Sequence, residues 1–262
     1  MRDTRISVER WGDEGGKPLF YWHGGGGGSE ETALLAPPLV AAGYTLYALD
    51  APGYGSSEPL APDGYAQPSL AGLATDLLSD LGLSPAIWIG YSWGASVGLH
   101  TAARFPDSIR GLALLDGGYL VAEDDPDYNA DTDYDDELEE LRRRAAAGES
   151  WDAPHEVIGA AMVASRSAPC PPLYPLVQAS GIPVLLAHGD RANAVVPEVL
   201  LDLGDQVEGS SPLLLRHLDA KRVVDGGEAP VKDGVDDDAL DLDDLARVRV
   251  SHESPGRLPG SV

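Results

Sequence analysis

The order of apolar runs and helix-forming segments predicts an α/β protein, with a mainly parallel central sheet, helices on both faces and a small helical insertion. Strands and helical segments alternate through the first half, the pattern of parallel strands joined by crossover helices. The strand-like runs from Leu19 to Leu115 are short and mainly apolar, as expected of strands buried on both faces. After Tyr119 the texture turns acidic and helical, and a strand-like run resumes only at Ile182.

Arg5 to Trp11 alternates in polarity and predicts an antiparallel edge strand. Leu19-Phe20-Tyr21-Trp22 is a buried strand that runs into His23 and five glycines, Gly24 to Gly28. A helix is expected over Glu30 to Ala42, then a strand over Tyr44 to Leu49 that ends in Asp50-Ala51-Pro52-Gly53-Tyr54-Gly55-Ser56-Ser57. Ser69 to Leu83 is the next helix, with Ser69 in the N-cap position. Ala86-Ile87-Trp88-Ile89 leads into Gly90-Tyr91-Ser92-Trp93-Gly94 and a helix to Phe105, and Leu112 to Leu115 is a strand closing on Asp116-Gly117-Gly118.

Residues 122–140 carry eleven carboxylates. A calcium loop starting at Asp127 fails, because its sixth position is Thr132 rather than Gly and its twelfth is Leu138 rather than Glu. The run reads as a solvated charged face, and no metal site is expected. Helices follow at Leu141 to Ala147 and His155 to Ser165, then a Pro-rich passage from Pro169 to Pro175. Ile182 to Asp190 resumes the sheet. Two runs compete for the last strand: Ala220 to Val224, leading into Asp225-Gly226-Gly227, and Ala246 to Val250, leading into Ser251-His252. The acidic stretch 225–245 between them is either a loop insertion or poorly ordered chain.

The net charge of −25, with 28 Asp, 15 Glu, 15 Arg and 3 Lys, argues against nucleic acid as a partner, since phosphate binding needs a cationic surface. Such a surface suits high salt, where counterions screen self-repulsion. No run of eighteen apolar residues exists, so no membrane span is expected. Met1 to Arg5 lacks a signal peptide's apolar run, and the single cysteine, Cys170, excludes an intramolecular disulfide. A soluble, cytoplasmic protein is the expectation. Oligomeric state is not legible.

A Gly-x-Ser-x-Gly between strand and helix holds serine in a strained backbone conformation, lifts its hydroxyl clear of the sheet and aims the following N–H at a developing oxyanion. With the His-Gly loop and the Asp-x-Pro-Gly-x-Gly-x-Ser loop in the same order, residues 19 to 118 resemble the α/β-hydrolase family. That resemblance implies a core of residues 1–118 and 181–262, with a helical cap over 119–180. It further implies a serine hydrolase that cleaves a small or medium carboxylic ester or related acyl substrate through an acyl-enzyme on Ser92, with no cofactor. Serine at the elbow argues against the family's dehalogenases and epoxide hydrolases, which use a carboxylate there.

The remaining roles follow from position after a strand. The oxyanion hole is expected at the N–H groups of Trp93 and Gly25. His252 is chosen as base, because it directly follows a strand and comes last in the Ser…Asp…His order. Asp190 is the preferred acid and Asp116 the alternative. His23 and His188 read as structural, His100 points away from the elbow, His155 falls in the cap and His217 precedes a strand. The irregular acid and histidine region also motivates a reading from another class: a catalytically degenerate member that binds a ligand or a partner.

Overall fold

A computed structural model of the chain describes residues 4–118, 133–168 and 170–189, together with two short strands at 216–218 and 247–252. Eight strands form one sheet: β1 (Ile6–Trp11), β2 (Lys17–Trp22), β3 (Tyr44–Leu49), β4 (Ala86–Tyr91), β5 (Ile109–Leu115), β6 (Val184–Gly189), β7 (Arg216–Leu218) and β8 (Arg247–His252). Their spatial order is β7-β6-β5-β4-β2-β3-β1-β8. Neighbours from β3 through β7 run parallel, while β1 is antiparallel to both β3 and β8. The expected antiparallel strand is therefore present, but it is not the edge, because β8 pairs with all six residues of β1.

Alternate residues of β2 serve opposite faces, as the two-residue strand period requires. Phe20 and Trp22 pack with Trp88 of β4, at ring-centroid distances of 4.9 and 5.6 Å, in a core that includes residues of α2 (Gln67–Asp80) and α3 (Trp93–Arg104). Leu19 and Tyr21 join Leu46, Ala48 and Ile89 on the other face, beneath α1 (Ala36–Ala41).

Where a single helix was expected over Glu30 to Ala42, the chain forms a 3-10 turn over Ser29–Ala33 and then α1. Pro37 and Pro38 explain the break. Neither can donate a helical hydrogen bond, and proline fits only the first turn of a helix. Pro68 has the same effect on α2, which starts at Gln67 with Ala66 in the N-cap position, ahead of Ser69.

The insertion contributes α4 (Tyr134–Ala146), α5 (His155–Arg166) and α6 (Tyr174–Ser180). Asp133 caps α4 by accepting the Asp136 N–H at 3.0 Å, and Asp135, Asp136 and Glu137 lie at its N-terminus with Arg143 and Arg144 in its last turn. That charge order complements the helix dipole. An ion pair between Arg166 and the buried Glu137 ties α5 to α4. α6 starts at the end of the Pro-rich passage, where no helix was expected. Its proline is at the tolerated start, and Tyr174 packs against α3's layer with its hydroxyl on the Gly118 carbonyl at 3.2 Å.

Candidate active site

The strand order reverses at β2. The chain passes from β2 to β3 on one side and then returns to β4 on the other. Loops leaving the carboxyl ends of β2 and β4 diverge at such a switch point and leave a crevice between them. Trp22 pairs with Gly90, so the glycine loop and the Ser92 turn emerge side by side.

Ser92 has φ 48° and ψ −108° and is the residue before α3. A non-glycine residue in this region carries strain of about 1–3 kcal/mol. The surroundings hold it there. A Cβ on Gly90 would strike the Gly94 carbonyl, and one on Gly94 would strike the Trp22 carbonyl. The Ser92 N–H donates to Leu115 O at 2.8 Å, and the Trp88 indole N–H donates to Gly94 O at 3.1 Å from beneath. Both glycines are therefore required by space.

The first N–H groups of a helix have no intrahelical acceptor. In α3 those of Gly94, Ala95 and Ser96 go to His23 O (3.2 Å), Ser92 O (3.1 Å) and Ser92 O (3.4 Å). Trp93 is the first helical residue, and the N–H groups at a helix start point out of its end, where anions are favoured. Gly25 lies across from it: a Cβ added to Gly25 would be 3.9 Å from the Trp93 Cβ. The structure thus brings together Ser92, Trp93 and Gly25.

Several groups shape the loop around them. His23 is fully buried, and burial pushes its imidazole down to about 4, against smaller opposing effects from the Gly24 carbonyl and Asp50. Its Nε2 accepts the Ala51 N–H at 2.9 Å, which leaves Nδ1 to donate to Gly24 O at 2.6 Å. With both nitrogens committed, His23 braces the loop and is not the base. Asp50 accepts N–H groups from Ser29 (3.0 Å) and Ser56 (3.2 Å). Burial opposes its ionisation, but these donors prevail and hold its carboxyl below the usual range. Tyr54 donates to Gly25 O at 2.8 Å. Two residues of the segment between β5 and β6 pack on the loop: Trp151 against Gly26 and Met162 against Gly25, with its Cε 2.5 Å from where a Gly25 Cβ would be.

Asp116 directly follows β5 with φ 44°, and the adjacent Gly117 packs on Ser92, where an added Cβ would lie 2.7 Å from the Ser92 Cα. Asp190 lies outside the described residues, as do the run 220–224, the stretch 225–245 and residues 119–132.

His252 is not brought to Ser92. It ends β8, with its Cα paired to that of Ile6, and β8 lies four inter-strand steps from β4, about 19 Å at ~4.8 Å per step. His252 was expected as the base because it follows a strand and comes last in chain order, but β8 pairs with β1, at the edge of the sheet opposite β7. His217 lies within β7, not ahead of a strand. The backbones of Ser92, Asp116, His188 and His217 instead share one row across β4 to β7, since Tyr91 pairs with Leu115, Leu115 with Ala187, and His188 with His217.

The other histidines have structural surroundings. His100 is buried on α3, pushed down to about 4 chiefly by burial, with Nε2 on Ala168 O at 3.0 Å and Nδ1 2.6 Å from the Arg104 guanidinium. His155 packs edge-on against Trp151 at 5.4 Å. Burial raises the Cys170 thiol to about 11, as for an inert packed cysteine. Among the described residues no group of three His, Cys, Asp or Glu side chains is placed to hold a metal ion, and no helix is long and apolar enough to cross a membrane.

Sequence reasoning missed Tyr54, Glu31, Trp151 and Met162 as parts of the site. Tyr54 carries a signal, because it interrupts the glycines of the Asp50 loop. The other three are set by packing between distant segments.

Comparison with known proteins agrees with this geometry. Epoxide hydrolase A of Mycobacterium tuberculosis is 32% identical over 113 residues, which is 43% of this chain and 35% of that protein. A putative non-heme haloperoxidase of Mycobacterium phage D29 is 30% identical over 112 residues, 43% of this chain and 39% of that protein. The chain thus spans well under half the length of these curated relatives. An esterase from Exiguobacterium antarcticum superposes with a TM-score of 0.66 at 20% identity, covering 81% of this chain and 87% of that one. A thermophilic esterase from Thermogutta terrifontis gives 0.65 at 19% identity, covering 82% and 85%. At these identities the structural likeness is one of fold. A family model described as alpha/beta hydrolase fold matches residues 17–161. With the strained serine turn and the glycine loop facing each other at the switch point of a largely parallel sheet, this chain belongs to the alpha/beta hydrolase fold family.

Proposed function

We propose that the chain is a serine hydrolase that cleaves a small or medium carboxylic ester or related acyl compound. The observation that carries this reading is the strained Ser92 turn, with the first N–H of α3 facing Gly25. Ser92 Oγ attacks the acyl carbon while a base takes its proton. The tetrahedral oxyanion is held by the Trp93 and Gly25 N–H groups, and losing one such donor typically costs about 2.7–4 kcal/mol in the transition state. The C–O bond to the alcohol then breaks and the alcohol leaves with the proton. Water adds to the acyl-enzyme by the same route and releases the acid. No cofactor takes part in this scheme.

The relatives named as epoxide hydrolases share part of this chain, yet a serine occupies the elbow here, and that favours acyl transfer. Asp116 is the carboxylate supported by position, and Asp190, one residue beyond β6, is the other candidate. His252 was the base expected from chain order. The strand register supports His188 instead, two strands from Ser92 at the carboxyl end. The distant end of β8 is also the observation that favours the second reading, a ligand-binding member without a base.

Labelling by a fluorophosphonate tests these readings. Modification of the parent that is lost in Ser92→Ala supports the hydrolase. The histidine variant (His188→Ala or His252→Ala) that abolishes labelling identifies the base, and Asp116→Asn and Asp190→Asn assign the acid in the same way. No labelling of the parent sinks the hydrolase and leaves the binding module.

A further inference from the structure

We propose that Glu31 is a positioning residue that clamps both ends of the pentaglycine loop and so sets the Gly25 N–H against Ser92; this rests on the hydrolase reading above. Five consecutive glycines let the backbone approach a substrate closely, but they leave the loop with the largest backbone freedom that any residue type allows. An oxyanion hole works only when its donors are held in place before the charge develops.

Glu31 provides that restraint from one residue. Its backbone N–H donates to Gly28 O at 3.2 Å, at the far end of the loop. Its Oε2 accepts the Gly24 N–H at 3.1 Å, at the near end. The same oxygen accepts the Tyr21 hydroxyl at 2.8 Å, which fixes the carboxylate from the β2 side. The loop is moulded on this group. A Cβ on Gly27 would collide with the Glu31 Oε1, and one on Gly24 would lie 2.9 Å from the Tyr91 ring and 3.5 Å from the same oxygen. Glu30 takes no part in this clamp; it is exposed, and its carboxylate lies near Gly28 instead, 2.5 Å from where a Cβ there would be. Gly25 lies directly after the residue whose N–H Glu31 holds, so release of the carboxylate frees the oxyanion donor first.

The test compares Glu31→Ala, Glu31→Gln and Tyr21→Phe in two assays. In time-resolved fluorophosphonate labelling, Glu31→Ala lowers the saturating rate about 10- to 100-fold, the scale expected for a displaced catalytic group. Its half-saturation concentration stays within about threefold. Glu31→Gln keeps most of the rate, because an amide oxygen still accepts the Gly24 N–H, and Tyr21→Phe falls between them. In native-state hydrogen exchange, Glu31→Ala speeds exchange of residues 24–28 about five- to tenfold, as for loss of one or two hydrogen bonds. Exchange unchanged in Glu31→Ala overturns the clamp whether or not Ser92 reacts. Faster exchange in Glu31→Ala together with a parent that takes no label overturns the serine reading alone. Labelling that falls equally in the Ala and Gln variants shows a need for the charge itself and overturns the positioning role.

Discussion

Lowering the pH from 7 towards 4 protonates the imidazole of His23 in the unfolded chain but not in the folded one. Burial holds it at about 4 in the fold, against 6.5 when free. For a base with a depressed value the unfolded state binds the proton first, so this contribution is complete above pH 6.5 and is lost as pH falls towards 4. At about 1.4 kcal/mol per pH unit, that interval amounts to about 3 kcal/mol, with no discount for solvent because His23 is fully buried. One contact works in the same direction as burial: Nε2 accepts the Ala51 N–H, and a proton there would set donor against donor. His100 titrates in the same direction, so the measurement must isolate one residue. Urea unfolding of the parent and of His23→Gln at pH 7, 6, 5 and 4.5 does this. The parent should lose about 2 kcal/mol more than the variant between pH 6.5 and 5. A pH-independent difference, or an imidazole resonance assigned to His23 that titrates near 6.5 in the folded protein, would refute the reasoning.

Three further outcomes follow from the same structure. Ser92→Gly relieves the φ 48° strain; it should raise stability by about 1 kcal/mol, a Tm gain of about 2–4 °C, and abolish fluorophosphonate labelling, whereas a lower Tm would mean the turn is unstrained. Met162→Ala removes the thioether over Gly25, and kcat/KM for long relative to short p-nitrophenyl acyl esters should rise about tenfold; an unchanged chain-length profile removes Met162 from the acyl site. With a net charge of −25, raising NaCl from 0.1 to 1 M shortens the Debye length from about 10 to 3 Å and should raise Tm, so a fall with salt counts against self-repulsion as a destabilising force.

What could be read from the sequence was what depends on neighbours in the chain. Gly90 and Gly94 flank Ser92 because of contacts within six residues, or against the strand next door, and the pattern of letters carries that constraint. The buried runs of β2 to β5 were equally legible, since strands covered on both faces are continuously apolar. The break before α1 was legible in principle from Pro37 and Pro38, since neither fits inside one continuous helix. Arg247-Val248-Arg249-Val250 shows the alternation of a strand and nothing about which strand it joins. The sheet offers two open edges, and only tertiary structure decides between them. The choice of His252 depended on that decision, whereas Ser92 depended on none. Glu31 and Met162 were illegible for a related reason: a carboxylate in an acidic chain and a methionine on a helix acquire roles only from what packs beside them.

The pentaglycine loop shows why the site draws on so many separate segments. Ordering five backbone residues costs about 5–10 kcal/mol, and glycine has no side chain with which to recover it. Five hydrogen bonds act on the loop, from His23 Nδ1, the Glu31 carboxylate, the Tyr54 hydroxyl, the Asp152 N–H and the Glu31 N–H. At roughly 1 kcal/mol each they offset about 5 kcal/mol, and contact with Tyr91, Trp151 and Met162 supplies the remainder. These groups come from the residue after β2, the 3-10 turn that follows, the loop after β3, the end of β4 and the segment between β5 and β6. No single segment is able to hold the loop, so its order depends on the whole assembly. Loss of the contacts from Trp151, Asp152 and Met162 should therefore loosen residues 24–28 even though Ser92 and α3 stay in place.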